Sequence, residues 1–191
     1  RGLGDVYKRQ GCDSAEGIRQ AVRYLWSKGH DRIGFLGGEP DSIVTIERKQ
    51  AYSDALAELG LVEDPAAVKY GCFSAKGTKK RILEIAETGV TAVVCISDLL
   101  ACTAVKELIR AGYSVPEDIS ITGYDNLPPS EYSQPPITTL SQNRIHIGKT
   151  TFFMLQQMKN GIHIKSVMLR PELIERESVR EICSRELPKE K

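Results

Sequence analysis

No apolar run in this chain approaches the roughly 18 residues a bilayer-spanning helix needs, so nothing in it reads as a membrane anchor. No CxxC pair occurs either. The five cysteines, Cys12, Cys72, Cys95, Cys102 and Cys183, are odd in number and unpatterned, which argues for thiols in a reducing, cytoplasmic compartment rather than a disulfide framework. His30, His146 and His163 form no cluster with cysteines or acids at ligand spacing, so no metal site is expected. Charge of one sign is missing as well: 26 basic residues against 25 acidic ones leave +1, without the excess that marks a DNA-gripping segment. Gly34-Phe35-Leu36-Gly37-Gly38 is not a GxGxxG fingerprint, and neither a GxxxxGK loop nor a Gly-x-Ser-x-Gly elbow exists. With no nucleophile–base pair in view, no enzyme activity and no cofactor are expected.

What is present is an alternation. With 41% hydrophobic residues, the 191-residue chain can bury a core of modest size. Ile18, Ala21, Val22, Leu25 and Trp26 recur at helical spacing, which predicts an amphipathic helix over 14–28, stopped by Gly29. A short buried strand follows at Ile33 to Leu36, then a helix over 46–59 with Tyr52, Ala55, Leu56 and Leu59 inward, and a connecting strand at Ala67 to Tyr70. The pattern continues with helix 76–88, strand Thr91 to Ser97 and helix 98–111, whose inward residues are Ala101, Ala104, Val105, Leu108 and Ile109. Strand Ile119 to Gly123, strand Thr138 to Ser141, helix 143–160 and an extended segment from Lys165 to Glu175 complete it. Strands alternating with helices imply right-handed crossovers and a parallel sheet flanked by helices. Tyr52, Trp26 and Phe153 are assigned to the core.

In a sheet of this kind polar ligands collect beyond the carboxyl ends of the strands. Three strands end there in small or polar residues: Gly37-Gly38, Ser97-Asp98 and Tyr124-Asp125. Asp125 could accept hydrogen bonds from two ligand hydroxyls or amines, and is equally consistent with an Asx turn leading into Asn126 and Pro128. Ser97 and Asp98 suit a helix N-cap and first turn as well as a site. Arg48, in the first turn of its predicted helix, reads on its own as a surface charge. Phe73 could present a flat face to a ring or pack as part of a lid. Arg144 reads first as a helix-start surface residue and second as a mark of an acidic ligand.

Five collinear segments resemble one family. Gly29-His30-Asp31-Arg32-Ile33 matches a Gly-His-x-x-Ile motif, and Arg48-Lys49-Gln50-Ala51-Tyr52 is similar to Arg-x-x-Gly-aromatic with Ala51 in place of glycine. Val115-Pro116-Glu117-Asp118-Ile119-Ser120 runs into Gly123-Tyr124-Asp125, Pro135-Pro136-Ile137-Thr138-Thr139-Leu140 follows, and Arg176-Glu177-Ser178 closes the series. In this order they resemble the effector-binding part of LacI/GalR transcriptional regulators, whose fold is that of a type I periplasmic binding protein.

The resemblance implies an allosteric repressor domain that senses a small carbohydrate or related metabolite, with Arg48 and Asp125 gripping it. Ser97 stands where the family commonly has Asn, which shifts that contact. It also implies a homodimer that reaches operator DNA through a helix-turn-helix headpiece lying outside this sequence. By the same resemblance, residues 11–141 and 164–181 form a nearly complete carboxyl-terminal lobe, and 142–163 belong to an amino-terminal lobe that is otherwise mostly absent. Residues 1–10 read as a non-native or unstructured leader and 182–191 as a tail. An extracytoplasmic sugar-binding protein of a transporter shares the fold and is the alternative; the Val-Pro-Glu-Asp-Ile-Ser run and the Arg-x-Ser close favour the regulators.

Overall fold

A parallel strand can be reached only by crossing over its sheet, and here a helix makes most of the crossings. In the computed structural model the described residues are 10–71, 75–160 and 167–184. They run β1 (Gln10–Cys12), α1 (Ser14–Ser27), β2 (Ile33–Leu36), α2 (Ile43–Glu58), β3 (Val68–Lys69), α3 (Ala75–Ala86), β4 (Ala92–Cys95) and α4 (Asp98–Arg110). Then follow β5 (Ser120–Tyr124), α5 (Pro128–Tyr132), β6 (Thr138–Ser141), α6 (Arg144–Lys159), β7 (Val167–Leu169) and β8 (Glu172–Ile174).

The main sheet has the order β3-β2-β4-β5-β6-β8; its first five strands are parallel and β8 closes the edge antiparallel to β6. Helices α1 and α2 pack together, as do α3 and α4, so the sheet is sandwiched between two helical layers. Strands β2, β4 and β5 are buried along their whole length, as expected for strands covered on both faces. Separately, β1 and β7 pair in parallel beside α6.

Tyr52 fixes α2 against the sheet. Its fully buried ring lies 5.1 Å from that of Phe35, and its hydroxyl donates to the Ile33 carbonyl at 2.7 Å. Truncating a buried aromatic of this kind costs about 3–5 kcal/mol. The same anchor holds Arg48, one turn earlier on α2.

Several expectations need correction. Helix α2 starts at Ile43 rather than 46, because the residue in extended conformation that ends the preceding turn is Ser42. Helix α5 was not expected; Pro128 at its start has the fixed φ that favours a first helical position. Ile109 is 47% exposed, since the inward stripe of α4 runs through Leu100, Ala101, Ala104, Val105 and Leu108. Phe153 is 60% exposed rather than core, and Met154 is the one buried residue of α6. Trp26 is half-buried. Of the leader 1–10, only Gln10 is among the described residues, where it pairs with Val167. No helix among the described residues is long and apolar enough to cross a membrane.

Candidate functional site

The strand order places a topological switch point at β2. The chain leaves β2 toward β3 on one side and later returns to β4 on the other, so the loops after β2 and β4 diverge and open a crevice at the carboxyl edge. The ends of β2, β4 and β5, all parallel neighbours, meet this edge together.

Arg48 reaches across it from α2. It is only 6% exposed, and its guanidinium lies over the Tyr124 ring, with Cζ 3.7 Å from the ring centroid. One terminal nitrogen, Nη1, donates to the Ile96 carbonyl at the end of β4, and Nη2 stands 3.9 Å from Oδ1 of Asp125. Burial lowers the arginine's pKa, opposed first by Tyr124 and then by Asp125. A cation held over a desolvated aromatic face gains about 2 kcal/mol. The hydroxyl of Tyr124 is buried beside the Cys12 thiol and crowds Gly17, where a Cβ would lie 2.6 Å from it.

Asp125 follows β5 at φ +105°, a conformation that side-chain-bearing residues rarely adopt. Its backbone N–H donates to the Leu140 carbonyl at 2.8 Å, and its carboxylate accepts from the Gln142 amide. Burial pushes its pKa up, while Arg48, Gln142 and Arg144 pull it down in that order. Arg144 is exposed at the start of α6 and donates to the Asn126 carbonyl at 3.3 Å. Behind Asp125, Arg176 donates to the Asn126 side chain at 2.8 Å and to the Ile137 carbonyl at 2.8 Å. Ser178 bridges the Ile121 carbonyl and the Thr138 N–H at 2.6 and 2.8 Å. The Arg-x-Ser close is therefore a clasp that fixes the wall carrying Asp125.

Ser97 and Asp98 fall into different roles. Ser97 is half-buried at the crevice edge, and its hydroxyl caps α4 by accepting from the Leu100 N–H at 3.4 Å. The Asp98 carboxylate is fully buried, accepting from the Leu127 N–H at 2.6 Å and the Thr139 hydroxyl at 2.5 Å, and burial raises its pKa. It points into the protein, tight against Gly123, where any Cβ would collide with Oδ1. Phe73 lies outside the described residues. Gln142 was missed by sequence reasoning, although it follows the end of β6 just as Asp125 follows β5. The platform role of Tyr124 carries no sequence signal beyond an aromatic at a strand end.

The fold and this crevice are those of a periplasmic-binding-protein-like domain. The chain matches the periplasmic binding protein-like domain family over residues 22–179. It is 34% identical to the HTH-type transcriptional repressor PurR of Aliivibrio salmonicida (strain LFI1238) over 175 residues, 89% of this chain and 52% of that protein. The Escherichia coli transcriptional repressor ascG superposes with a TM-score of 0.82 at 28% identity, covering 88% of this chain and 63% of that one. A LacI-family sugar-binding transcriptional regulator from Escherichia coli, solved in complex with phosphate, gives 0.82 and 28% over 89% and 62%. The chain belongs to the periplasmic-binding-protein-like family, in the form carried by LacI/GalR transcriptional regulators. It spans about half the length of the repressor PurR that it matches.

Proposed function

We propose that this chain is the effector-sensing part of a cytoplasmic LacI/GalR-type regulator, and that it binds its ligand without transforming it. The observation that carries this reading is the meeting of Arg48 and Asp125 at 3.9 Å across the carboxyl edge of the sheet. A buried guanidinium held over an aromatic ring is a preorganised fork for ligand oxygens, and an acid beside it accepts from ligand hydroxyls. The family supports a small carbohydrate or related metabolite as effector. Gln142 and Ser97 border the same crevice and complete the polar set.

The repressor relatives favour a regulator over a transporter component. In the whole protein, residues 11–141 and 164–181 make one lobe and 142–163 belong to the other; the exposed Phe152, Leu155 and Met158 of α6 support that division. The effector's unequal affinity for two lobe arrangements shifts the fit of paired headpieces on a palindromic operator, which suits a homodimer. The test is fluorescence anisotropy of the full-length protein on its operator, titrated with the metabolite that alters DNA affinity. We expect Arg48→Ala to abolish a shift of tenfold or more; an undiminished shift in that variant rejects the assignment.

A further inference from the structure

Asp125 and Asn126 take positive φ in succession, +105° and +49°, so the turn that carries the crevice acid is one the backbone does not adopt unaided. It is tied in front by the Asp125 N–H, which donates to the Leu140 carbonyl at 2.8 Å. Behind, the Leu127 N–H donates to Oδ2 of Asp98 at 2.6 Å. The other oxygen of Asp98, Oδ1, accepts from the Thr139 hydroxyl at 2.5 Å, and Thr139 is the neighbour of Leu140 on β6. One carboxylate therefore grips both the turn and the strand that anchors it. Gly123, two residues ahead of Asp125 on β5, has no Cβ to displace that carboxylate.

Asp98 is fully buried, and no cation among the described residues pairs with it. As a source of stability this is a poor arrangement: taking a charge out of water costs several kcal/mol, and hydrogen bonds from two neutral donors return only part of it. The first turn of α4, where the helix dipole favours negative charge, offsets some of the cost. Capping does not account for the acid, because the Ser97 hydroxyl already caps α4 by accepting the Leu100 N–H. What the carboxylate supplies is a fixed pair of acceptors for an amide and a hydroxyl on different elements. Without it the Leu127 N–H loses its partner, at about 1–3 kcal/mol, which is the size of the strain that the turn carries.

We propose that Asp98 is a positioning residue of the effector site: without touching the effector, its carboxylate holds the turn through Leu127 and so keeps Asp125 facing Arg48. This rests on the reading of Arg48 and Asp125 as the effector site.

The tests use the full-length protein. In crystals of the Asp98→Ala variant the Asp125 carboxylate should be displaced relative to Arg48 by about 1 Å or more, enough to cost binding. A turn at Asp125–Leu127 that superposes on that of the unaltered protein within about 0.5 Å overturns the proposal. Calorimetry uses the tightest-binding member of a panel of cellobiose, galactose, glucose and ribose. Asp98→Ala should bind it about tenfold or more weakly, and Asp98→Asn, which keeps a neutral acceptor of the same shape, about three- to fivefold more weakly. In an Asp125→Ala background neither change should add more than about twofold, since a residue acting through Asp125 has nothing left to position. A merely structural residue would lower the melting temperature and leave the affinity of the folded protein within about twofold; that result, or losses that multiply with the loss from Asp125→Ala, overturns the proposal. Should Asp98→Ala not fold, the calorimetry of Asp98→Asn decides. If Arg48→Ala and Asp125→Ala leave binding unchanged, the site itself is wrong; if they weaken it and the Asp98 variants do not, only the role of Asp98 falls.

Discussion

Asp125 shows what a site demands of a single residue. Its φ of +105° would suit glycine, yet an acid occupies it, held by the Leu140 carbonyl behind and by Arg48 and Gln142 in front. Strain of this kind costs on the order of 1–3 kcal/mol and persists where function needs the side chain. Asp125→Gly and Asp125→Ala both delete the carboxylate, but only alanine keeps the strained Cβ. Thermal denaturation of the two variants should therefore separate them, the glycine variant being more stable by about 1–3 kcal/mol, or roughly 2–4 °C per kcal/mol in a domain of this size. Equal melting temperatures would remove strain from the account. Asp125 was legible in the sequence because an acid follows an apolar run. Its φ was not, since an Asx turn and a strained ligand-holding turn begin with the same residues.

Elements were legible where periodicity and punctuation agreed. Strands Ile33–Leu36 and Thr138–Ser141 fall where the sequence predicts them, bounded by Gly37-Gly38 and by Pro135-Pro136. Helix α2 was placed late because Ile43, Val44 and Ile46 are exposed apolar residues that break its stripe. Helix α6 is the sharper case. Of its apolar residues only Phe153 was assigned to the core, yet it is exposed together with Phe152, Leu155 and Met158, and the contacts of α6 with other elements centre on β1. A helix with so little packing opens at low free-energy cost. In hydrogen exchange on this 191-residue chain, α6 amides should exchange well before those of α4, which is buried along Leu100, Ala104 and Leu108. Equal protection in a monomeric sample would contradict the assignment of α6 to a second lobe.

At the scale of the molecule, alternation of strands and helices was enough to foresee a parallel sheet, because crossovers leave few other arrangements. The antiparallel edge was not foreseeable: an extended run through Glu172–Ile174 carries no mark of direction, and pairing with β6 depends on where the chain returns. The pairing of β1 with β7 joins residues more than 150 positions apart, beyond any local pattern. The crevice was legible as a set of strand ends, while its interior division of labour was not. Asp98 turns inward as a brace and Gln142 turns toward Asp125, choices made by burial rather than by residue type.

The central claim is that Arg48 and Asp125 together hold the effector at the carboxyl edge of the sheet. The most direct measurement is the dissociation constant of the full-length protein for its effector, found by calorimetry against a metabolite panel and repeated with Arg48→Ala and Asp125→Ala. Each lost charge-assisted contact is worth about 1.5–3 kcal/mol, so both variants should bind at least tenfold more weakly. Affinity unchanged in both would contradict the account.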